Sequence, residues 1–367
     1  MSMEFDQRLL RSEEETIYRL RGLYEGCGYS PFKMSKFEEY DLYVRSKDFL
    51  VSERMITFTD ERGVLMALKP DVTLSIVKST RDGELRKVYY NESVYRSGKG
   101  EEGFQEIMQT GLECIGALDF YHIYEVTALA VESLACISPD YVLDISHAGL
   151  VLGFMEAAGV EDPPRIMGAV REKNLAELRS YCRERGLSAT VGALLEKLIT
   201  TYGPMGQVLE ELAPLCVGGK KTREAWEEVK RLYDLLQANG LAEKVYLDFS
   251  VEGDMDYYSG IVFRGFLKGL PRGVLSGGQY DKMVEKMGKR CGAIGFAIYL
   301  NELERLDTAP RDFDADVLLW YDEASDFKHL SQTAAKLRRE GRRVLARRER
   351  AGVRTRETLD LRGGAEE

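Results

Sequence analysis

The chain has 367 residues, room for two or three domains, and is 44% hydrophobic and 31% charged, the composition of a globular protein with a sizeable core. Its 61 acidic against 51 basic residues leave a net charge of −10, which argues against a dedicated nucleic-acid binder, whose footprint is basic. Six scattered cysteines with no CxxC pair, and three histidines in neither HExxH nor HxH spacing, argue against a disulfide scaffold and a histidine-rich metal centre. No apolar run approaches the ~18 residues of a membrane span, and the first residues lack a signal-peptide pattern. The expectation is a cytoplasmic protein with no metal, no cofactor and no membrane partner.

Residues 12–26 read as a helix, with Ile17, Leu20 and Leu23 at helical spacing and Gly26 and Gly28 closing it. Residues 55–70 hold two runs of β-formers around Asp60-Glu61-Arg62-Gly63, the pattern of a hairpin. A short helix is expected over 71–80, an extended pair over 86–96 and 104–116, and a helix over 119–136. From about 160 to 240 the pattern is helical, and strands resume at 245–251, 256–266 and 273–278. A helix begins at Asp281, followed by GAIGFAIYLNELERL (292–306). Past Pro310 a βαβ fragment is expected (315–321, 325–340, 342–346), and the Arg-rich remainder reads as a ragged or mobile tail. Strands, a helical module and strands again predict an α+β fold built on an antiparallel sheet.

Four constellations could carry chemistry. In Gln109-Thr110-Gly111-Leu112-Glu113, strand periodicity puts Gln109, Gly111 and Glu113 on one face, an amide and a carboxylate over a bare glycine that would leave open floor for a donor-rich guest. Read alone, the same segment is a strand with a wetted polar face. Asp256-Tyr257-Tyr258-Ser259-Gly260 sends its tyrosines to opposite faces, one to core and one to a cleft where a phenol can read a planar ring, or both simply to packing. Ser276-Gly277-Gly278-Gln279-Tyr280-Asp281 reads as a strand-to-helix turn whose glycines let the backbone approach a ligand. Lys69-Pro70-Asp71-Val72-Thr73 opens a helix, and Asp71 could serve only as its cap.

In order and company these segments resemble the catalytic core of histidyl-tRNA synthetase, and more closely its non-catalytic relatives, the regulatory subunits of ATP phosphoribosyltransferase. The resemblance covers most of 10–306, through KPDVT (69–73), VYR with FQEIMQTGLECIG (94–116), MDYYSGIVF (255–263), SGGQYDKMV (276–284) and GFAIYLNEL (295–303). It implies a class II aminoacyl-tRNA synthetase-like antiparallel sheet flanked by helices. The implied division is 1–155 and 244–308 for the two parts of the core, 156–243 for a helical insertion, and 309–367 for a truncated anticodon-binding-like α/β remnant with an Arg-rich tail. It also implies that Asp71, Thr73 and Gln109 hold the ammonium of free histidine, and that Glu113, Tyr258 and Tyr280 read its imidazole; these residue types suit those groups.

The resemblance breaks where the synthetases do chemistry. Gly253 stands where they carry an arginine that polarises the substrate carboxylate, and Glu302 where another grips the nucleotide triphosphate. Tyr299 replaces a glycine, Arg96 is retained, and Ser97 and Gln105 replace an acidic residue and an arginine. Arg96, Tyr299 and Glu302 thus mark a vestigial nucleotide site, short of the cations that phosphoryl chemistry needs. Ser35 stands where the family has a motif-1 proline. The implied function is that of a non-catalytic regulatory subunit that assembles with a short-form catalytic subunit of ATP phosphoribosyltransferase, self-associates as a dimer, and passes on feedback by histidine; no tRNA partner is expected. The alternative is a histidyl-tRNA synthetase-like enzyme that activates an amino acid.

Overall fold

The computed structural model describes residues 12–44, 55–81, 83–97, 103–216, 219–251, 258–303 and 313–363. These fall into two compact units, Met1–Leu306 and Asp307–Glu367.

The first unit opens with α1 (Ser12–Gly26), β1 (Ser30–Pro31), β2 (Phe37–Glu39), α2 (Tyr40–Val44), β3 (Thr57–Thr59), β4 (Leu65–Leu68) and α3 (Thr73–Ser79). The long strands β5 (Arg86–Ser97) and β6 (Phe104–Gly116), α4 (Phe120–Ile137), β7 (Tyr141–His147) and α5 (Ala148–Ala157) follow. Then come α6 (Pro163–Arg171), α7 (Leu175–Glu184), α8 (Ala189–Thr200), β8 (Tyr202–Pro204), α9 (Met205–Leu212) and α10 (Lys220–Ala238). The unit ends with β9 (Val245–Asp248), β10 (Ile261–Leu267), β11 (Leu275–Gln279), α11 (Asp281–Lys286), β12 (Gly292–Tyr299) and α12 (Leu300–Leu303).

Nine strands form one sheet in the order β1-β5-β6-β12-β11-β10-β7-β9-β8, antiparallel except for β1 with β5 and β7 with β9. The α+β class expected from the sequence is the observed one. Alternation along β6 decides which face does what. Leu112 and Cys114 pack with Phe296, Phe263 and the buried side of α4, whereas Ile115 packs with Val88, Tyr90, Ala293 and the helices α3 and α11. Gln109, Gly111 and Glu113 share the second face by the same period. α4 starts where Asp119 accepts from the amides of Tyr121 (2.9 Å) and His122 (3.2 Å), satisfying donors that a helix N-terminus leaves unpaired. The hairpin expected over 55–70 is β3–β4, closed by Asp60, which accepts from the amides of Arg62 and Val64. The helices α6 to α10 do not stand apart: Ile166, Leu178, Leu198 and Val229 share one buried cluster with the sheet, and β8 pairs with β9 at its edge.

One expectation about this stretch needs correcting: Gly277 and Gly278 lie within β11, not in a strand-to-helix turn, while the helix begins at Asp281 as expected. A Cβ on Gly277 would fall 2.3 Å from the carbonyl oxygen of Gly295 on β12, so what the glycine provides is close packing of neighbouring strands.

The second unit contains β13 (Ala315–Trp320), α13 (Phe327–Arg339), β14 (Val344–Arg347) and β15 (Thr355–Asp360), in a parallel sheet of order β14-β13-β15. Up to residue 363 the Arg-rich segment is therefore not a ragged tail, since it contains β15. Leu359 and Leu361 pack onto the small core under β13. Several of the arginines are paired locally, Arg354 with Asp314 (3.6 Å), Arg342 with Glu357 and Arg362 with Asp360 (2.6 Å). The Arg362 guanidinium also lies 3.2 Å from the centre of the Trp320 ring, a cation–π contact that low apolar content conceals. Deleting residues 353–367 should strip the backbone amides of β13 of hydrogen-exchange protection and leave those of β6 unchanged; retained protection in β13 would show that β15 contributes nothing to the unit.

Candidate functional site

β6 carries the centre of the site. Glu113 is 2% exposed, and each of its oxygens takes a hydrogen bond from a different element. Thr73, the first residue of α3, donates from Oγ1 to Oε1 at 2.7 Å, and Tyr280, just ahead of α11, donates from its phenol to Oε2. Burial nonetheless pushes the carboxyl from its usual 4.5 up to about 8, against the two hydroxyl donors and with the help of nearby Asp71; desolvation of the charged form wins. Glu113 fits only because β12 has glycine beside it: a Cβ on Gly295 would lie 1.8 Å from Oε2.

Asp71 caps the helix, as its position allows, and also faces a cation. Its Oδ1 accepts from the amide of Leu74 at 2.9 Å, capping α3, while Oδ2 lies 3.9 Å from Arg96. Burial raises its pKa, with Arg96 the main opposing influence. Arg96 donates from Nε to the carbonyl oxygen of Pro70 at 2.8 Å, so this cation is committed to the segment that starts α3. That segment is anchored in turn by Lys69, 1% exposed and 2.5 Å from Glu92.

Tyr258 sits where β11 is bare. A Cβ on Gly278 would come 2.8 Å from its ring, and its phenol shares a hydrogen bond with the side chain of Ser276. Glu113, Asp71 and Tyr299 all act on that phenol electrostatically, and its pKa is raised chiefly by burial. The approach to Tyr258 is held by Gln279, whose Oε1 accepts from the amide of Ile261 at 2.8 Å. Gly253, Asp256 and Tyr257 lie outside the described residues. Gln109 is buried, and its Cα partner on β12 is Tyr299.

Thr73, Glu113 and Tyr280 are thus in direct contact, with Asp71 and Tyr258 within electrostatic reach and Gln109 two residues along the same strand face. The floor expected over Gly111 is not open. Tyr90, its Cα partner on β5, lays its ring there, with the hydroxyl 2.7 Å from where a Gly111 Cβ would be. Tyr90 is 2% exposed and was given no role from the sequence, although the β5–β6 pairing predicted over 86–96 and 104–116 brings a residue of β5 opposite Gly111. Of the residues assigned to a nucleotide site, Tyr299 stands on the floor of this pocket, close enough to perturb Tyr90 and Tyr258. Glu302, half-buried, lies 3.7 Å from Arg272. Asn301, also missed, ties α12 to the pocket strand by accepting from the amide of Met108 at 2.7 Å. Among the described residues no group of three or more His, Cys, Asp or Glu could hold a metal ion, and no helix is long and apolar enough to cross a membrane.

The arrangement suits a guest rich in N–H groups or positive charge. A cationic guest would draw the proton off Glu113 and turn a costly buried acid into a compensated carboxylate. Without a guest the linkage runs the other way. The stability contributed by protonated Glu113 is complete below about 4.5, erodes as pH rises, and is gone above about 8, a loss on the order of 5 kcal/mol. Glu113→Gln should therefore raise the melting temperature over wild type increasingly from pH 5 to pH 9 in ligand-free protein; a pH-independent difference would contradict the raised pKa.

Comparison with known proteins gives one family match and several relatives. Residues 4–303 match the family described as Histidyl-tRNA synthetase. A protein of Clostridium kluyveri named ATP phosphoribosyltransferase regulatory subunit is 28% identical over 337 residues, spanning 88% of this chain and 85% of that one. The crystal structure of an ATP phosphoribosyltransferase regulatory subunit/histidyl-tRNA synthetase from Bacillus halodurans superposes with a TM-score of 0.77 at 23% identity, covering 98% of this chain and all of the other. A chain of the HisG:HisZ ATP phosphoribosyltransferase complex from Thermotoga maritima gives 0.63 at 19% identity, over 78% and 97% of the two chains.

Proposed function

Because the chain belongs to the histidyl-tRNA synthetase family, we propose that it is a non-catalytic regulatory subunit of a hetero-oligomeric ATP phosphoribosyltransferase. It assembles with a short-form catalytic subunit, supports that subunit's activity in the first step of histidine biosynthesis, and carries feedback by free histidine. The observation that supports this reading is a contrast of charges: Glu113, Thr73 and Tyr280 are joined in a buried hydrogen-bonded cluster, while Glu302, which the resemblance aligns with a triphosphate-gripping arginine, is a carboxylate that faces Arg272. At about 4 Å and an effective dielectric of about 20, exchanging a cation for an anion reverses an interaction of about 4 kcal/mol per phosphate charge before screening. The name of the Clostridium kluyveri relative supports the same reading.

Regulation in this scheme is linkage. Histidine bound more tightly to one state of the assembly shifts the population toward that state, and a coupling of about 1–3 kcal/mol suffices. Self-association as a dimer, a cytoplasmic location and the absence of a tRNA partner belong to the same proposal, as does the division into a core in two parts (1–155, 244–308), a helical insertion (156–243) and a C-terminal α/β remnant (309–367).

Reconstitution tests it. Phosphoribosyl transfer by a short-form catalytic subunit should rise severalfold when this chain is added, and added histidine should inhibit the mixture. Histidine-dependent ATP–pyrophosphate exchange by the chain alone would overturn the proposal in favour of an amino-acid-activating enzyme.

A further inference from the structure

The pocket described above receives positive charge well and negative charge poorly. Asp71 and Glu113 are both acids, and Arg96 is already engaged with Asp71 and the Pro70 carbonyl. A free α-amino acid brings a carboxylate on the carbon that carries its ammonium, and that anion needs a partner in the site. We propose that Arg264 of β10 receives the α-carboxylate of the bound amino acid and so makes the site selective for the intact amino acid over its decarboxylated or reduced analogues. The inference rests on the histidine-binding reading and adds a residue that reading does not contain.

Four observations lead to Arg264. It is exposed, and alternation along β10 places it on the ligand face, since Phe263 on the opposite side packs with Phe296 in the α4 core. Among the described residues, Arg96 and Arg272 each face a carboxylate, whereas none stands within ion-pair distance of Arg264. Its cross-strand partner on β7, Asp144, is buried, and burial together with Asp248 disfavours its charged form, pushing its pKa up to about 7.

The second observation is continuity with the pocket wall. The Cα partner of Arg264 on β11 is Ser276, whose side chain shares the hydrogen bond with the Tyr258 phenol. The third is the ground between. Ser276 pairs with Ala297 of β12, so small side chains separate Arg264 from the strand bearing Gln109 and Glu113.

The fourth is direction. The arginine stem lies against Gly273, where a Cβ would fall 2.8 Å from both Cγ and Cδ. Gly273 adjoins Val274, whose carbonyl oxygen accepts from the amide of Tyr299 at 2.8 Å, and Tyr299 is the Cα partner of Gln109. The stem therefore leans toward the Gln109 end of the floor, where the ammonium is expected. Three strand spacings of about 4.8 Å put the two strands about 14 Å apart, a gap filled by a glutamine side chain, one amino acid and an extended arginine.

Titration calorimetry on the full chain tests this with histidine and with histidinol, which keeps the imidazole and ammonium but lacks the carboxylate. Wild type should bind histidine at least tenfold more tightly than histidinol, the scale of a charged hydrogen-bonded contact. Arg264→Gln should weaken histidine at least tenfold, leave histidinol unchanged and so abolish the preference. Equal histidine affinity in wild type and variant, or a parallel loss for both ligands, overturns the role of Arg264 while leaving the pocket in place. A wild type that binds neither ligand removes the pocket reading and this inference with it.

Discussion

A carboxyl group buried at the centre of the sheet is the constraint around which the first unit is arranged. Moving a carboxylate out of water is among the costliest things a fold can do unless hydrogen bonds replace the lost hydration. Glu113 is 2% exposed, and its two donors come from elements distant in sequence, Thr73 and Tyr280. Those contacts set where α3 begins and where the chain leaves β11. They also dictate glycine at position 295, because any side chain there would occupy the volume of the Glu113 carboxyl. An apolar residue at 113 would satisfy the packing with no such demands, so the proposed binding role accounts for an acid that adds nothing to stability near neutral pH.

Charge is distributed around that acid in a way that separates binding from activation. Lys69 is paired with Glu92, Arg96 with Asp71, and Arg272 with Glu302. These three cations already face carboxylates, whereas transfer of phosphoryl or adenylyl groups depends on cations held ready for charge that develops in the transition state. The phenol of Tyr299, close to Tyr90 and Tyr258, adds bulk to the same floor. The proposed guest would use the hydrogen-bond acceptors and aromatic walls here, which need no reaction to be useful.

The parts legible from the sequence are those set by period and local chemistry. Alternation in β6 was enough to put Gln109, Gly111 and Glu113 on one face, and the β-formers flanking Asp60–Gly63 were enough for the hairpin. The parts that were not legible depend on what a neighbouring strand brings. Gly111 reads as open floor until β5 supplies Tyr90, and Gly277-Gly278 reads as a turn until β12 and Tyr258 press against it. β15 is hard to read because beyond Leu359 and Leu361 its anchoring comes from arginines stacked on Trp320 and Phe313 and paired with Asp314 and Asp360, which do not register as hydrophobic pattern. Tyr299 belongs to the nucleotide seat by alignment alone; its register against Gln109 makes it a neighbour of the proposed amino-acid pocket as well.

The two donors to Glu113 also explain how occupancy of such a pocket can be felt elsewhere without catalysis. A guest that donates to Glu113 competes with Thr73 and Tyr280 for the same lone pairs. Thr73 opens α3 and Tyr280 leads into α11, and the buried faces of both helices, through Leu74, Ile76, Met283 and Val284, belong to one packed cluster. Close-packed interiors respond to such changes by switching between discrete arrangements, since small continuous adjustments are resisted. Redistribution of two hydrogen bonds, each worth on the order of 1–3 kcal/mol when one partner is charged, is of the size needed to bias a pair of such states. If the proposed amino acid binds there, a cluster joined through Thr73 and Tyr280 to the starts of two helices meets the physical requirement for a regulatory site.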